Sequence, residues 1–138
     1  MTGHDDNTDD PYDLARLAAA RQHARGMGGA ERIARQHAAG RLSARERIAA
    51  LLDEGTAFEE LGLLAHSDRE PDRASTPADG KITGYGRIGG RAVYVAADDV
   101  TVKAGAYGRV GHHKAGKAVA YAMKKGFPSP SRSNGSSR

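Results

Sequence analysis

Two glycine-spaced segments and a few ionisable residues carry whatever chemistry this chain has. Gly84-x-Gly86-x-x-Gly89 has the spacing that cradles a dinucleotide pyrophosphate. That role needs a strand before the glycines and a helix opening on them, so that free amides face the phosphates. A second strand-like run follows them here, and the plainer role is hairpin geometry. The kinase version fails too, because Arg91 stands where a valine belongs. Gly111-His112-His113-Lys114-Ala115-Gly116-Lys117 has phosphate-loop spacing, but Ala118 replaces the Ser or Thr that would hold magnesium. Only 20 residues follow Ala118, where most of a nucleotide-binding sheet should lie. The plainer reading is a basic helix start.

Six histidines (His4, His23, His37, His66, His112 and His113) raise the question of a metal, yet no pair has a carboxylate at ligand spacing. His112 and His113 would point about 100° apart on a helix. Asp98 and Asp99 at a strand end can serve as a general base or a cation site, but such a pair more often turns the chain and caps amides. No Ser, His and acid grouping stands out as a nucleophile system. The absence of Cys excludes disulfides and thiolate metal sites.

The elements that must position these residues follow from apolar spacing. Residues 1–10 are polar and small after Met1 and are expected to be a disordered acidic leader. Leu14, Leu17, Ala18 and Ala24 form a helical stripe stopped by Gly26. A second helix is expected over residues 30–39, with Ile33, Ala34 and His37 on one side and Gly40 as its stop. Ser43 and Glu46 form a capping box for a third helix through Ile48, Leu51 and Leu52, ended by Gly55. A strand is expected over residues 58–64 and a loop over 66–79. Strands over 81–88 and 91–97 flank Gly89-Gly90 as a β-hairpin, with 100–102 prolonging the sheet. A glycine-bearing loop at 104–111 then leads to a helix over 112–125 carrying Ala115, Val119, Ala122 and Met123. Residues 129–138 read as a disordered Ser/Arg tail.

Composition bounds the rest. The chain has 138 residues and net charge +4, room for one domain of a soluble protein. Twenty residues are Leu, Ile, Val or Phe, a thin core for this length. Five acids crowd the first thirteen residues, whereas eight basic residues follow Asp99, the last acid. A basic second half suits phosphate, of nucleic acid or of a nucleotide-like cofactor. No apolar run reaches the ~18 residues of a membrane span, and the acidic start is unlike a leader peptide. A cytoplasmic, membrane-free protein is therefore expected.

Five blocks carry a resemblance: Gly29-Ala-Glu-Arg-Ile-Ala-Arg-Gln-His37, Gly40-Arg-Leu-Ser-Ala-Arg-Glu-Arg-Ile-Ala-Ala-Leu-Leu-Asp-Glu-Gly55, Phe58-Glu-Glu-Leu-Gly62, Asp79-Gly-Lys-Ile-Thr-Gly-Tyr-Gly86 and Asp99-Val-Thr-Val-Lys103. In order and spacing they resemble the amino-terminal part of biotin-dependent acyl-CoA carboxylase carboxyltransferase (beta) subunits, over roughly residues 28–128. Propionyl-CoA, acetyl-CoA and methylcrotonyl-CoA carboxylases and methylmalonyl-CoA decarboxylases share the pattern.

The resemblance implies an α/β fold, an incomplete crotonase-like (β-β-α) carboxyltransferase domain over residues 56–128 preceded by a helical segment over 11–55. It implies an enzyme of the ligase/transferase class that moves a carboxyl group from carboxybiotin to an acyl-CoA. Biotin would arrive on a partner, the biotin carboxylase/biotin carrier alpha subunit, with no cofactor bound tightly by this chain, and family members are homo-oligomers. In the loop after Val102, relatives often read Gly-Gly-Ser or Gly-Gly-Thr. Here Lys103, Ala104, Gly105, Ala106 and Arg109 are the expected substrate-binding residues, lining the CoA or biotin pocket. Arg41, Arg45 and Arg47 either contact CoA phosphate or a neighbouring subunit, or fix their helix against the sheet. The family's oxyanion donors come after the equivalent of Pro128, and there this chain runs into Ser-Pro-Ser-Arg-Ser-Asn-Gly-Ser-Ser-Arg. A truncated, catalytically inactive and marginally stable fragment is therefore expected. The alternative is a non-enzymatic basic module for nucleic acid or a phosphorylated ligand, which the scarcity of aromatics past Asp99 disfavours.

Overall fold

The computed structural model describes residues 13–105 and 108–128, together with the backbone of 131–132. The acidic leader, Ala106, Tyr107 and most of the Ser/Arg ending lie outside the described residues.

Three helices come first. Helix α1 (Leu14–Arg25) is capped by Asp13, whose carboxylate accepts from the Ala15 and Arg16 amides at 2.9 and 3.1 Å. Helix α2 (Ala30–Ala38) buries no residue fully; Ile33 is half-buried, while Ala34 and His37 are exposed. Helix α3 (Ala44–Leu51) starts on the expected capping box, with Glu46 N donating to Ser43 Oγ at 3.2 Å and Ser43 N to Glu46 Oε2 at 2.7 Å. His37 Nε2 lies 2.8 Å from the same Glu46 oxygen and ties α2 to that box.

The sheet has the order β1-β2-β3-β4, with β1 (Glu59–Leu61), β2 (Lys81–Ile88) and β3 (Arg91–Asp98) antiparallel and β4 (Ser131–Arg132) parallel to β3. The β2–β3 hairpin turns at Gly89 and Gly90, where φ is +58° and +75°, the conformation that a two-residue hairpin loop requires. The Asp53 carboxylate accepts both turn amides at 2.7 Å, so the loop after α3 clamps the hairpin tip. Along β2, Ile82, Gly84 and Gly86 pair across with Ala97, Val95 and Val93, on the face that packs against Ile48 of α3 and Leu52 just after it. The opposite face carries Tyr85 and Tyr94, which pack on Ala118 and Ala122 of helix α4 (Arg109–Lys125). Strand β3 is thus covered on both faces, which explains its nearly continuous burial.

Several expectations are corrected. Strand β1 is three residues long, because Phe58 turns its ring towards the core and Gly62 bends the chain away. The 66–79 segment is not plain loop but contains two 3₁₀ turns, Glu70–Ser75 and Pro77–Gly80. Residues 100–102 do not extend the sheet. Asp99 Oδ1 accepts from Thr101 N at 2.8 Å and Thr101 Oγ1 at 2.6 Å, and this side-chain turn takes the amide a ladder would have used. Helix α4 begins at Arg109 rather than His112, and the cause is the long-range cap described below. In the Ser/Arg ending, Ser131 and Arg132 pair with Ala96 and Ala97 on the outer edge of β3, where Tyr94 N also donates to Pro128 O at 3.1 Å.

Candidate substrate-binding site

The chain leaves the core at Val102, which is fully buried, and reverses direction at once. Lys103, Ala104 and Gly105 adopt φ of +45°, +53° and +86°, three left-handed residues in a row. For a residue with a Cβ that conformation costs about 1–2 kcal/mol. Ala104 adopts it where the resemblance has glycine.

Asp79 fixes where α4 starts. It sits in a second left-handed run, Ala78, Asp79 and Gly80 at φ of +53°, +47° and +70°. Its Oδ2 accepts from Gly111 N at 2.7 Å, capping α4 from 32 residues away. Gly108 packs directly on this carboxyl, where an added Cβ would stand 3.0 Å from Oδ2. Asp79 Oδ1 is buried with no hydrogen-bond partner. One turn along α4, Lys114 Nζ donates to Ala78 O at 2.9 Å and to Lys81 O. Burial pushes the Lys114 ammonium down to about 8, against the opposing pull of the Glu60 and Asp79 charges. Beside it Lys81 pairs with Asp98 across the hairpin. Asp79 and Lys114 went unread in the sequence as site residues. Asp79-Gly80 within a matched block was the available signal, while nothing local marks Lys114.

Of the expected residues, Lys103, Ala104 and Gly105 form the short turn after Val102 and Arg109 opens α4, with Ala104 exposed and Gly105 half-buried. Ala106 lies outside the described residues. The two cations are engaged. Lys103 Nζ lies 3.0 Å from Asp72 Oδ2, and Arg109 Nε donates to Asp68 Oδ2 at 2.9 Å, with its Nη2 on the same oxygen. The Arg109 guanidinium holds the Asp68 carboxyl below the usual range.

The other motifs find structural roles. Gly84 and Gly86 lie inside β2, where a Cβ would meet the Phe58 ring and, 2.7 Å away, Leu52 Cδ1. Gly111 and Gly116 lie within α4 and Lys117 is exposed on it, so no loop remains to cradle a phosphate. Arg45 pairs with Glu60 of β1 through both terminal nitrogens, at 2.6 and 3.1 Å, and donates to Arg25 O. Arg47 donates to Asp98 O at 3.1 Å, and Arg41 is exposed. These contacts bind α3 to the sheet and to α1. A groove of about 330 Å³ along α3, lined by Arg45, Ile48, Leu52, Asp53, Thr56 and Phe58 among others, contains none of Lys103, Ala104, Gly105 and Arg109. Among the described residues no cluster of three or more His, Asp or Glu is arranged to hold a metal, and no helix is long and apolar enough to cross a membrane.

The carboxyl transferase domain family matches residues 35–135, and the chain belongs to that family. It is 42% identical over 103 residues to the methylmalonyl-CoA decarboxylase subunit alpha of Propionigenium modestum, covering 73% of this chain and 20% of that one. It is 40% identical over 114 residues to the propionyl-CoA carboxylase carboxyltransferase subunit of Haloferax mediterranei, covering 81% and 22%. Among solved structures, the transcarboxylase 12S hexamer with methylmalonyl-coenzyme A and methylmalonic acid bound superposes with a TM-score of 0.81 at 35% identity, over 91% of this chain and 25% of that one. The chain therefore spans between a fifth and a quarter of the length of these relatives. Its fold is a fragment of the crotonase-like carboxyltransferase domain, and the family is enzymatic.

Proposed function

We propose that these residues form the front part of an acyl-CoA carboxyltransferase, which moves a carboxyl group from carboxybiotin to an acyl-CoA, and that the junction at 103–109 meets the coenzyme A end of the substrate. The observation that carries the reading is the left-handed run Lys103, Ala104 and Gly105 after the buried Val102, with Lys103 and the exposed Arg109 both paired to acids of the 66–75 segment. Small residues in left-handed conformation let a ligand approach the backbone, and the flanking cations suit phosphate. Ala106 joins the set through its neighbours in sequence. The acyl-CoA names of the relatives and the coenzyme A ester in the 12S structure support the substrate class.

Biotin would be brought by a partner, the biotin carboxylase/biotin carrier alpha subunit, and would supply the carboxyl group. None of the residues above is assigned to hold it. Assembly with further copies of the chain accords with the hexamer named for the 12S protein, and the cytoplasm is the proposed compartment. Residues 11–55 form the helical segment and 56–128 the start of the catalytic domain, the two sharing one core through Ile48 and Leu52.

Calorimetric titration with coenzyme A tests the reading. The Lys103→Ala/Arg109→Ala variant should bind at least about tenfold more weakly than the parent chain, the lower end of the scale of one charge-assisted contact. Equal affinity would overturn it.

A further inference from the structure

We infer that Asp68 and Asp72 determine which anions Lys103 and Arg109 admit. They occupy Lys103 and Arg109, and a ligand takes those cations only by carrying enough negative charge to displace both acids. The inference rests on the reading of the junction as a coenzyme A site, and adds to it a pair of specificity-determining residues outside the junction itself.

The segment presenting the two acids is anchored at its base and charged at its surface. Ser67 and Thr76 are buried at its two ends, with Ser67 N donating to Thr76 Oγ1 at 2.9 Å and that hydroxyl donating to Asp72 O at 2.8 Å. From α1, His23 Nε2 lies 3.1 Å from Ala74 O. The base thus holds Asp72 and the neighbouring Asp68 in place. The remaining charges are largely matched within the segment: Glu70 pairs with Arg73 at 2.6 Å, and Arg69 lies 3.9 Å from Asp72. Asp68 and Asp72 are the acids that reach across, one to each of the two cations expected to meet substrate phosphate.

Both pairs are exposed enough for water and salt to weaken them. The Arg109 side chain is 84% exposed and Lys103 35%. Exposed pairs of this kind are easily exchanged, whereas a phosphate presents more charge and several acceptor oxygens to the same guanidinium or ammonium. A single carboxylate offers no advantage over the aspartate already present. A ligand carrying several phosphate charges opens both pairs, then sits beside two displaced carboxylates that repel it. Discrimination therefore comes from a repulsive element as well as an attractive one. The acids lower absolute affinity and raise the preference for the most highly charged ligand.

The test is titration of the full chain with coenzyme A and with 3′-dephospho-coenzyme A, for the parent, the Asp68→Asn/Asp72→Asn variant, the single Asp68→Asn variant and the Lys103→Ala/Arg109→Ala variant. The double Asn variant should bind coenzyme A about two- to tenfold more tightly than the parent, the range expected for losing two exposed pairs. Its preference for coenzyme A over the dephospho form should fall, and Asp68→Asn alone should move both quantities part of the way. A gain in the Asn variants where the parent binds below detection supports the inference equally. Unchanged or weaker binding in the Asn variants overturns it, as does absence of binding in all of them. If the Ala variant binds like the parent, the junction reading itself fails. If the Ala variant loses affinity and the Asn variants gain none, only the inference fails.

Discussion

Lys114 shows how one side chain joins fold to site. Its ammonium is buried against Ala78 O and Lys81 O, the carbonyls beside the turn that carries Asp79, so it fastens α4 to the same turn that caps it. Burial lowers its pKa to about 8, while the unfolded chain keeps the ordinary value near 10.5. Between those values the unfolded state holds a proton that the folded state has released. This group's contribution to stability therefore rises with pH across that window, by up to about 1.4 kcal/mol per unit, and is least favourable below pH 8. Urea unfolding at pH 7.5, 8.5 and 9.5 should show this upward slope for the parent relative to Lys114→Met. Parallel pH dependence in the two proteins would contradict the assignment. Of the residues that shape the junction, Lys103, Gly105 and Arg109 were legible because Lys103 closes a matched block and the small and cationic residues just after it invite attention. Asp79 and Lys114 were not, since a cap 32 residues distant and a buried lysine leave no local pattern.

The elements divide by how local their causes are. The capping box of α3 and the Gly89-Gly90 turn of the hairpin were readable because each is complete within a few residues. The start of α4 and the end of β3 were misplaced by a few residues, because Asp79 and Asp99 settle them through side-chain bonds to backbone. The glycines inside β2 belong to the same lesson. Their spacing imitates a nucleotide fingerprint, yet each is small because something presses on it, the Glu59 carbonyl and the Phe58 ring at Gly84 and Leu52 at Gly86. Gly84→Ala and Gly86→Ala should each destabilise the chain by about 1–3 kcal/mol, as overpacking does, with little effect on coenzyme A affinity. Denaturant midpoints and titration of the same samples check both halves. A loss of affinity without a loss of stability would return the glycines to the binding site.

At the scale of the molecule, one hairpin carries two faces with different tasks. The α3 face holds the larger core cluster, and the α4 face supports an aromatic cluster of Tyr85, Tyr94, Tyr121 and Phe127. The junction of 103–109 lies where β3 has ended and α4 begins, positioned from below by Asp79 and covered by the acids of 66–75. The family was legible from five ordered blocks, whereas the paired state of Lys103 and Arg109 was not, because their partners Asp68 and Asp72 lie in a stretch that reads only as loop. The central claim is that this junction meets coenzyme A, and amide chemical-shift mapping of the isotope-labelled chain during a coenzyme A titration tests it most directly. The largest shifts should fall on residues 103–105 and 109–111, with smaller ones at Asp68 and Asp72. Shifts concentrated along the α3 groove at Ile48, Leu52 and Thr56, with the junction unmoved, would contradict the account.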